Sequence, residues 1–195
     1  MYTLIGGKGS RAFRVMWALE ELGQPYEHLP ETPRSPVVRQ HNPAGKIPVL
    51  IDGDTAITDS TAILHYLADR HGALTAPAGT IERALEDGMT QFVLDEIDAA
   101  LWLAARHRFI LPEERRVAAV KETIAWELER SRDTLMERWS GPYVMGDGFS
   151  IPDIILTHCL GWAVRARLPI RNDTLDDYLE RMRSRPAYRA AAERP

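Results

Sequence analysis

Residues 42–63 constrain the fold of this chain more than any other stretch. Pro48 stands directly before an apolar run at residues 49–51. Proline cannot donate a hydrogen bond to a central strand ladder, so Pro48 belongs at a strand entry, a bulge or a tight turn. A turn around Gly53 and a second short strand follow, and Ser60 then opens a helical pattern. This order of strand, hairpin and polar helix start predicts a compact docking place for a small peptide-like ligand.

Two features of this stretch suit such a ligand. If the Ile47–Pro48 bond is cis, the chain reverses there, and the N–H and C=O of Ile47 are free to pair with a ligand backbone; the residues alone leave cis and trans open. The helix start at Ser60 presents unpaired N–H groups and a partial positive charge, which suit a carboxylate. The alternative is that Ser60 only caps the helix.

Charge and composition exclude several classes of protein. The chain has 195 residues, a net charge of −4 and an isoelectric point of about 5.9, and its longest basic run is Arg115-Arg116. We therefore expect no nucleic-acid partner and no membrane partner. No apolar run approaches the ~20 residues of a transmembrane helix. Cys159 is the one cysteine, which excludes an internal disulfide and predicts a cytoplasmic location.

The first third of the chain alternates between strand and helix patterns. It predicts a strand at residues 2–5, a helix from Arg11 that Gly23 ends, a strand at 26–29 and a short helical piece up to His41. Strands at 49–51 and 55–57 and a helix at 60–70 complete this part. The elements form a βαβ unit followed by a hairpin and a helix.

After a small, turn-rich linker the chain is helical in character. Apolar spacing predicts one long helix over residues 85–104 and another that begins near Pro112. Ser150 and Asp153 can cap a third helix reciprocally, and its body is apolar nearly all round, which predicts a buried central helix. A shorter helix at 174–184 and a tail that begins at Pro186 complete the chain.

Four motifs in order resemble those of cytosolic glutathione transferases of a bacterial, serine type. They are residues 14–27, 42–50, 59–63 and the cap at 150–153. The resemblance implies an α/β thioredoxin-like domain at 1–73, a linker at 74–79 and an all-α domain at 80–195. It also implies a homodimer and a cis-proline at Pro48.

The resemblance further implies a site for glutathione as co-substrate. The Ile47 main chain would pair with the cysteinyl part of the tripeptide. Ser60 would receive the γ-glutamyl carboxylate, and Asp59 would face the γ-glutamyl ammonium. Lys46 would lie near the glycyl end, and Arg34 is a candidate for the glycyl carboxylate. The alternative for Lys46 and Arg34 is a solvated surface charge.

Activation of the glutathione sulfur is assigned to the glycine-rich turn after the first strand. A thiolate is needed, because an unperturbed thiol has a pKa of about 8.5. Ser10 is the predicted catalytic residue and Arg11 adds positive potential, whereas Tyr2 lies too early for a tyrosine-type site. By the family's spacing the serine falls nearer Gly9 and the cysteine of the beta class falls near Arg11. A simple N-cap role for Ser10 stays open.

The helical part of the chain carries the predictions for the second substrate, a small hydrophobic electrophile. The candidate pocket residues are Trp102, Arg106, His107 and Trp162, with core packing as the alternative for the tryptophans. The histidines lack metal-ligand spacing, so we predict no metal. Cys159 has the pattern of a buried structural cysteine, which argues against a glutaredoxin-like mechanism through a protein cysteine. A glutathione-dependent peroxidase, isomerase or dehalogenase, or a binding module without chemistry, are the alternative functions.

Overall fold

The computed structural model describes residues 1–194, which separate into two compact units. The first unit contains Met1–Thr80 together with the chain from Arg181 onward. The second unit is Ile81–Glu180. The last residues therefore group with the first unit, whereas the sequence assigns them to the helical domain. The domain limits at 73 and 80 stay a prediction.

A four-stranded mixed sheet forms the centre of the first unit. Its strands are β1 (Tyr2–Ile5), β2 (Tyr26–Leu29), β3 (Val49–Asp52) and β4 (Thr55–Thr58), in the order β2-β1-β3-β4. Strand β1 runs parallel to β2, and β3 runs antiparallel to both β1 and β4. The predicted βαβ unit and the hairpin are confirmed.

Three helices follow the predicted order around this sheet. They are α1 (Ala12–Glu21), α2 (Pro36–His41) and α3 (Ser60–His71). Val38 of α2 packs against Ile5 and Val49 on one face of the sheet. Leu4 and Leu50 are paired in register and fully buried, and alternation directs them to the opposite face. The sheet is therefore covered on both sides.

The second unit is helical. It contains α4 (Ile81–Phe92), α5 (Ala99–Ala105), α6 (Val120–Glu137), α7 (Ile151–Ala166) and most of α8 (Asp173–Ser184). The long helix predicted over residues 85–104 is interrupted by a π-helical segment, Val93–Asp98, and a second one, Arg106–Ile110, follows α5. The Ala99 N–H donates to the carbonyl of Leu94, five residues earlier.

The prediction that the next helix begins near Pro112 is wrong. Only a 3₁₀ turn forms there, and α6 begins at Val120. The backbone of Arg116 is extended, with ψ of 134°. The Arg116 Nε donates to the Leu111 carbonyl at 2.8 Å, and the Val117 N–H donates to His107 Nδ1 at 3.1 Å. These bonds engage polar groups of the loop without a turn of α-helix, and α6 therefore starts later.

The reciprocal cap of α7 is confirmed. Asp153 is fully buried; its Oδ2 accepts the Ser150 N–H at 2.9 Å, and its Oδ1 accepts the Val144 N–H at 2.9 Å and the Tyr178 hydroxyl at 2.8 Å. Burial raises the pKa of the Asp153 carboxyl, while these hydrogen bonds act in the opposite direction. Helix α7 is buried along most of its length, as predicted. No helix within residues 1–194 is long and apolar enough to cross a membrane.

The tail predicted from Pro186 is instead a helix, α9 (Pro186–Glu193). Proline is favourable in the first helical turn because its missing N–H has no intrahelical partner there. The Tyr188 ring meets the rings of Phe13 and Trp17 edge to face, each at 5.0 Å between centroids. Two ion pairs also join this region to α1, Arg185 with Glu21 and Arg194 with Glu20, each at 2.6 Å.

Candidate active site

Three chain segments meet at one end of the sheet. Ile5 at the end of β1 pairs with Val49 at the start of β3, and Val49 pairs with Thr58 at the end of β4. The loop after β1, the residues before β3 and the start of α3 therefore lie at the same edge. All seven of the residues predicted to bind or activate glutathione belong to the first unit.

Gly6 sets the contact between the first loop and the residues before β3. Its φ is +139°, and a Cβ there would lie 3.0 Å from the Cβ atoms of both Ile47 and Ala12. Only glycine fits this close approach without displacement. His28 of β2, which the sequence argument missed, supports the loop through a 2.8 Å bond between its Nε2 and the Gly6 carbonyl. The alternation along β2 was the one signal that could have found His28.

Ser10 lies at the start of α1, where its hydroxyl is engaged within the chain. The hydroxyl donates to the Gly7 carbonyl at 2.7 Å and accepts the Ala12 N–H at 3.1 Å. Arg11 occupies the N-cap position of α1 without a side-chain cap bond. Ser10 thus has the hydrogen bonds of a helix-start residue, and a bond to a bound sulfur requires its hydroxyl to turn away from Gly7. The catalytic role of Ser10 stays a prediction.

The backbone of Ile47 is available to a ligand. The Ile47–Pro48 bond is cis, the form that the resemblance implies. Within the described chain, neither the N–H nor the C=O of Ile47 has a hydrogen-bond partner. Lys46 beside it is exposed, and its carbonyl accepts the Asn42 Nδ2–H at 2.9 Å.

A main-chain hydrogen bond holds Arg34 next to the segment that leads to Ile47. Its N–H donates to the Gly45 carbonyl at 2.8 Å. Gly45 has φ of +66°, and a Cβ there would lie 3.0 Å from Arg34 Cγ, so a larger residue would push the arginine away. Arg34 and Lys46 are both exposed, so two cationic residues belong to the chain segments around Ile47.

Asp59, and not Ser60, caps helix α3. Its φ is 72°, a region that non-glycine residues seldom adopt, and its Oδ1 accepts the N–H groups of Thr61 at 2.8 Å and Ala62 at 3.2 Å. Ser60 is the first helical residue and is 3% exposed. The alternative that Ser60 caps the helix is therefore wrong. Among residues 1–194, neither its N–H nor its hydroxyl has a hydrogen-bond partner.

Tyr2 belongs to the other end of β1. Its hydroxyl bonds to His71 Nε2 at 2.9 Å, and burial raises the pKa of the phenol. A phenol in this position lies away from the loop that contains Ser10. The exclusion of Tyr2 as the sulfur-activating group agrees with this placement.

The four candidate residues for the electrophile belong to the second unit. Trp102 is in α5, Arg106 and His107 are in the second π-helical segment, and Trp162 is in α7. The His107 ring holds the turn before α6, and the Trp162 ring meets that of His158 at 6.4 Å between centroids. Both rings therefore have structural partners, and the electrophile pocket stays a prediction.

A second group of potential ligands lies within the second unit. Asp98, His158 and Cys159 place one ligand atom each within 4.8 Å of one another. Cys159 is fully buried, as predicted. The prediction of no metal site considered only the spacing of the histidines. It did not consider Asp98, which the fold brings close to His158 and Cys159.

Comparisons with known proteins agree with this architecture. The family model described as "Glutathione S-transferase, N-terminal domain" matches residues 4–77. A relative in Oryza sativa subsp. japonica, named probable glutathione S-transferase GSTU6, is 30% identical over 90% of this chain and 81% of its own length.

Two solved structures extend the similarity over both units. The glutathione transferase of Methylococcus capsulatus str. Bath matches with a TM-score of 0.80 and 27% identity, over 98% of this chain and 97% of its own. The theta class glutathione S-transferase of Xanthomonas axonopodis pv. citri, solved with glutathione bound, has a TM-score of 0.75 and 26% identity, over 100% of this chain and 98% of its own. The thioredoxin-like fold with a helical second domain is confirmed.

Proposed function

Because the chain belongs to the glutathione transferase family, we propose that it binds glutathione at the sheet end and transfers its sulfur to a small hydrophobic electrophile. The observation that carries this proposal is the set of unused backbone and hydroxyl donors at Ile47 and Ser60. A tripeptide with a carboxylate at one end matches these groups. The relatives named glutathione S-transferases support a transferase role.

Each part of glutathione has a partner in this arrangement. The cysteinyl N–H and C=O pair with the Ile47 backbone as a short antiparallel strand. The γ-glutamyl carboxylate receives the N–H and hydroxyl of Ser60, and the second oxygen of Asp59 faces the ammonium. Lys46 and Arg34 lie toward the glycyl carboxylate. The charged groups of the ligand thereby meet opposite charges at both ends.

Sulfur activation is the next step. In our proposal the thiol proton passes to solvent, the Ser10 hydroxyl leaves the Gly7 carbonyl and donates a hydrogen bond to the sulfur anion, and Arg11 and the start of α1 add positive potential. The thiolate then attacks the electrophilic carbon, a carbon–sulfur bond forms, and the leaving group departs with its electron pair. The residues Trp102, Arg106, His107 and Trp162 stay our candidates for holding the electrophile.

Replacing Ser10 by alanine tests the activation step. We expect kcat/KM for glutathione with a nitro-substituted aryl halide to fall about tenfold to 100-fold near neutral pH, because each unit of thiol pKa changes the thiolate fraction about tenfold. The pH profile of kcat/KM should move to higher pH, and Ser10→Thr, which keeps a hydroxyl, should recover most of the activity.

An unchanged rate and pH profile for Ser10→Ala would remove Ser10 from the catalytic role. A melting temperature for each variant separates activation from the loss of the Ala12 bond. The engaged Ser10 hydroxyl favours one second candidate, a module that binds glutathione without activating it. Calorimetric binding of glutathione by a wild-type chain that turns over neither the aryl halide nor a peroxide would identify that case.

A homodimer is also part of the proposal. Ile81 and Leu85 lie one turn apart on α4 and are 76% and 61% exposed in the single chain, a pair of large apolar side chains that a second subunit could cover. Light scattering should give twice the 22.0 kDa chain mass, and Leu85→Glu should shift the mass toward one chain. A wild-type mass of one chain at every concentration contradicts this part.

A further inference from the structure

We propose that Asp98, His158 and Cys159 form a binding site for a zinc-type divalent cation within the second unit. Asp98 ends the first π-helical segment, and His158 and Cys159 are consecutive in α7. The carboxylate oxygen, imidazole nitrogen and sulfur lie within 4.8 Å of one another. The proposal is independent of glutathione binding, because all three residues lie outside the first unit.

The burial of these groups supports a ligand role. Cys159 is 0% exposed and Asp98 is 7% exposed, so these two ligand groups are shielded from bulk water, which strengthens their attraction for a cation. The Cys159 thiol donates to Asp98 Oδ1 at 3.5 Å. A cation that replaced the thiol proton would neutralise the carboxylate and the thiolate together.

One distance in this cluster matches an edge of a tetrahedral zinc site. Zn–S bonds are about 2.3 Å and Zn–O bonds about 2.0–2.2 Å, so the sulfur–oxygen edge of the tetrahedron is about 3.5–3.7 Å. The Cys159 Sγ to Asp98 Oδ1 distance is 3.5 Å. A cation bound by the sulfur and this oxygen therefore needs no change in their separation, and the imidazole nitrogen lies within 4.8 Å of both atoms.

The chemistry of the three groups selects the cation. Thiolate and imidazole are ligands for zinc and its spectroscopic substitute cobalt, whereas magnesium and calcium prefer oxygen ligands throughout. Three protein ligands leave a fourth position for water. His158 is half-buried and lies on the more accessible side of the cluster.

The π-helical segment explains how Asp98 reaches α7. The Ala99 N–H bonds to the Leu94 carbonyl, which is the five-residue spacing of a π turn. Such a turn inserts a residue and rotates the following side chains relative to a regular α-helix, and it occurs often at functional sites. This segment packs against α7, and Asp98 faces Cys159 there.

Cobalt binding to the full-length chain without an affinity tag tests the proposal. After treatment with a chelator, an equimolar addition of Co²⁺ should produce a thiolate-to-cobalt charge-transfer band and the visible bands of a four-coordinate ion. Cys159 is the chain's only cysteine, so the charge-transfer band can arise only there. Zn²⁺ should abolish the bands by competition, and Mg²⁺ should not.

Variants of each ligand define the site. Cys159→Ser should lose the charge-transfer band. Asp98→Asn and His158→Gln should weaken Co²⁺ binding by about 100-fold or more, because groups that only support a ligand already contribute about 10–100-fold. His41→Gln, which removes an exposed histidine of α2, should leave the affinity unchanged.

A stability measurement keeps the test decisive if a variant folds poorly. Zn²⁺ should raise the melting temperature of the wild-type chain, because a ligand that binds only the folded state stabilises it, and the rise should be lost in Asp98→Asn. Absence of the charge-transfer band in the wild type, or a Zn²⁺ effect that persists in Asp98→Asn, overturns the proposal.

Discussion

We expect the Ser60→Ala variant to bind glutathione about tenfold to 100-fold more weakly than the wild-type chain. Ser60 is the first residue of α3, and Asp59 already occupies the N–H groups of Thr61 and Ala62. A ligand carboxylate at this helix start is therefore left with the N–H and hydroxyl of Ser60. A hydrogen bond to a charged group contributes about 1.5–3 kcal/mol, and about 1.4 kcal/mol corresponds to tenfold in affinity.

Isothermal calorimetry with glutathione measures this difference. Thr58→Ala is the matched control, because it removes an exposed hydroxyl at the end of β4, two positions before Ser60. Its affinity should equal that of the wild type. Equal affinities for Ser60→Ala and Thr58→Ala would show that the γ-glutamyl carboxylate does not use the Ser60 hydroxyl.

Replacing Asp153 by alanine is expected to lower the free energy of unfolding by roughly 3–5 kcal/mol. The carboxylate accepts two backbone N–H groups, from Val144 and Ser150, and the Tyr178 hydroxyl, all in buried surroundings. Each buried donor left without an acceptor costs about 1–3 kcal/mol. Effects of this size come from few mechanisms, and the loss of a buried hydrogen-bond network is one of them.

Urea unfolding, followed by far-ultraviolet circular dichroism, measures the loss. Asp147→Ala provides the control, because Asp147 is an exposed carboxylate in the loop before the same helix. The urea midpoint of Asp147→Ala should stay close to that of the wild type, as expected for an ordinary surface substitution. A similar small effect for Asp153→Ala would mean that water replaces the missing acceptor.

The pH dependence gives a second readout of the same carboxyl. Burial raises the pKa of Asp153 above its value in the unfolded chain. The stability from this difference is fully present below the unfolded pKa, about 3.9, and is lost as pH rises through the folded pKa. Asp153→Asn lacks this titration, so its deficit relative to the wild type should be larger in acid than at neutral pH. If the stability deficit of Asp153→Asn grows with pH instead, the hydrogen bonds lower the carboxyl pKa by more than burial raises it.

Local signals in the sequence determined most of the first unit. The alternation in β1 and β2, the turn at Gly53 and the helix end at Gly23 each depend on a few neighbouring residues, and the structure repeats them within a residue or two. The same is true of the reciprocal cap between Ser150 and Asp153. Such features can be predicted because the interactions that cause them lie inside the window that a pattern covers.

The sequence did not predict features that depend on side chains from other parts of the chain. Nothing around residue 186 predicts a helix that packs on α1, because its stability comes from Phe13 and Trp17, over 160 positions earlier. The late start of α6 depends on the His107 ring, and the π-helical segments have no local pattern that distinguishes them from regular helix.

Some properties of the candidate site could likewise be predicted from the sequence, and others could not. The sequence by itself located the segments of the proposed glutathione site, because glycine, proline and a polar helix start leave local patterns. Only the tertiary structure decided that Asp59 takes the cap and leaves Ser60 open, that the Ser10 hydroxyl is engaged by Gly7, and that Asp98 meets Cys159. The first two outcomes are local, but neighbouring groups compete for the same hydrogen-bond partners, and a sequence pattern does not say which of them wins. The contact of Asp98 with Cys159 depends on packing between helices that are far apart in the chain.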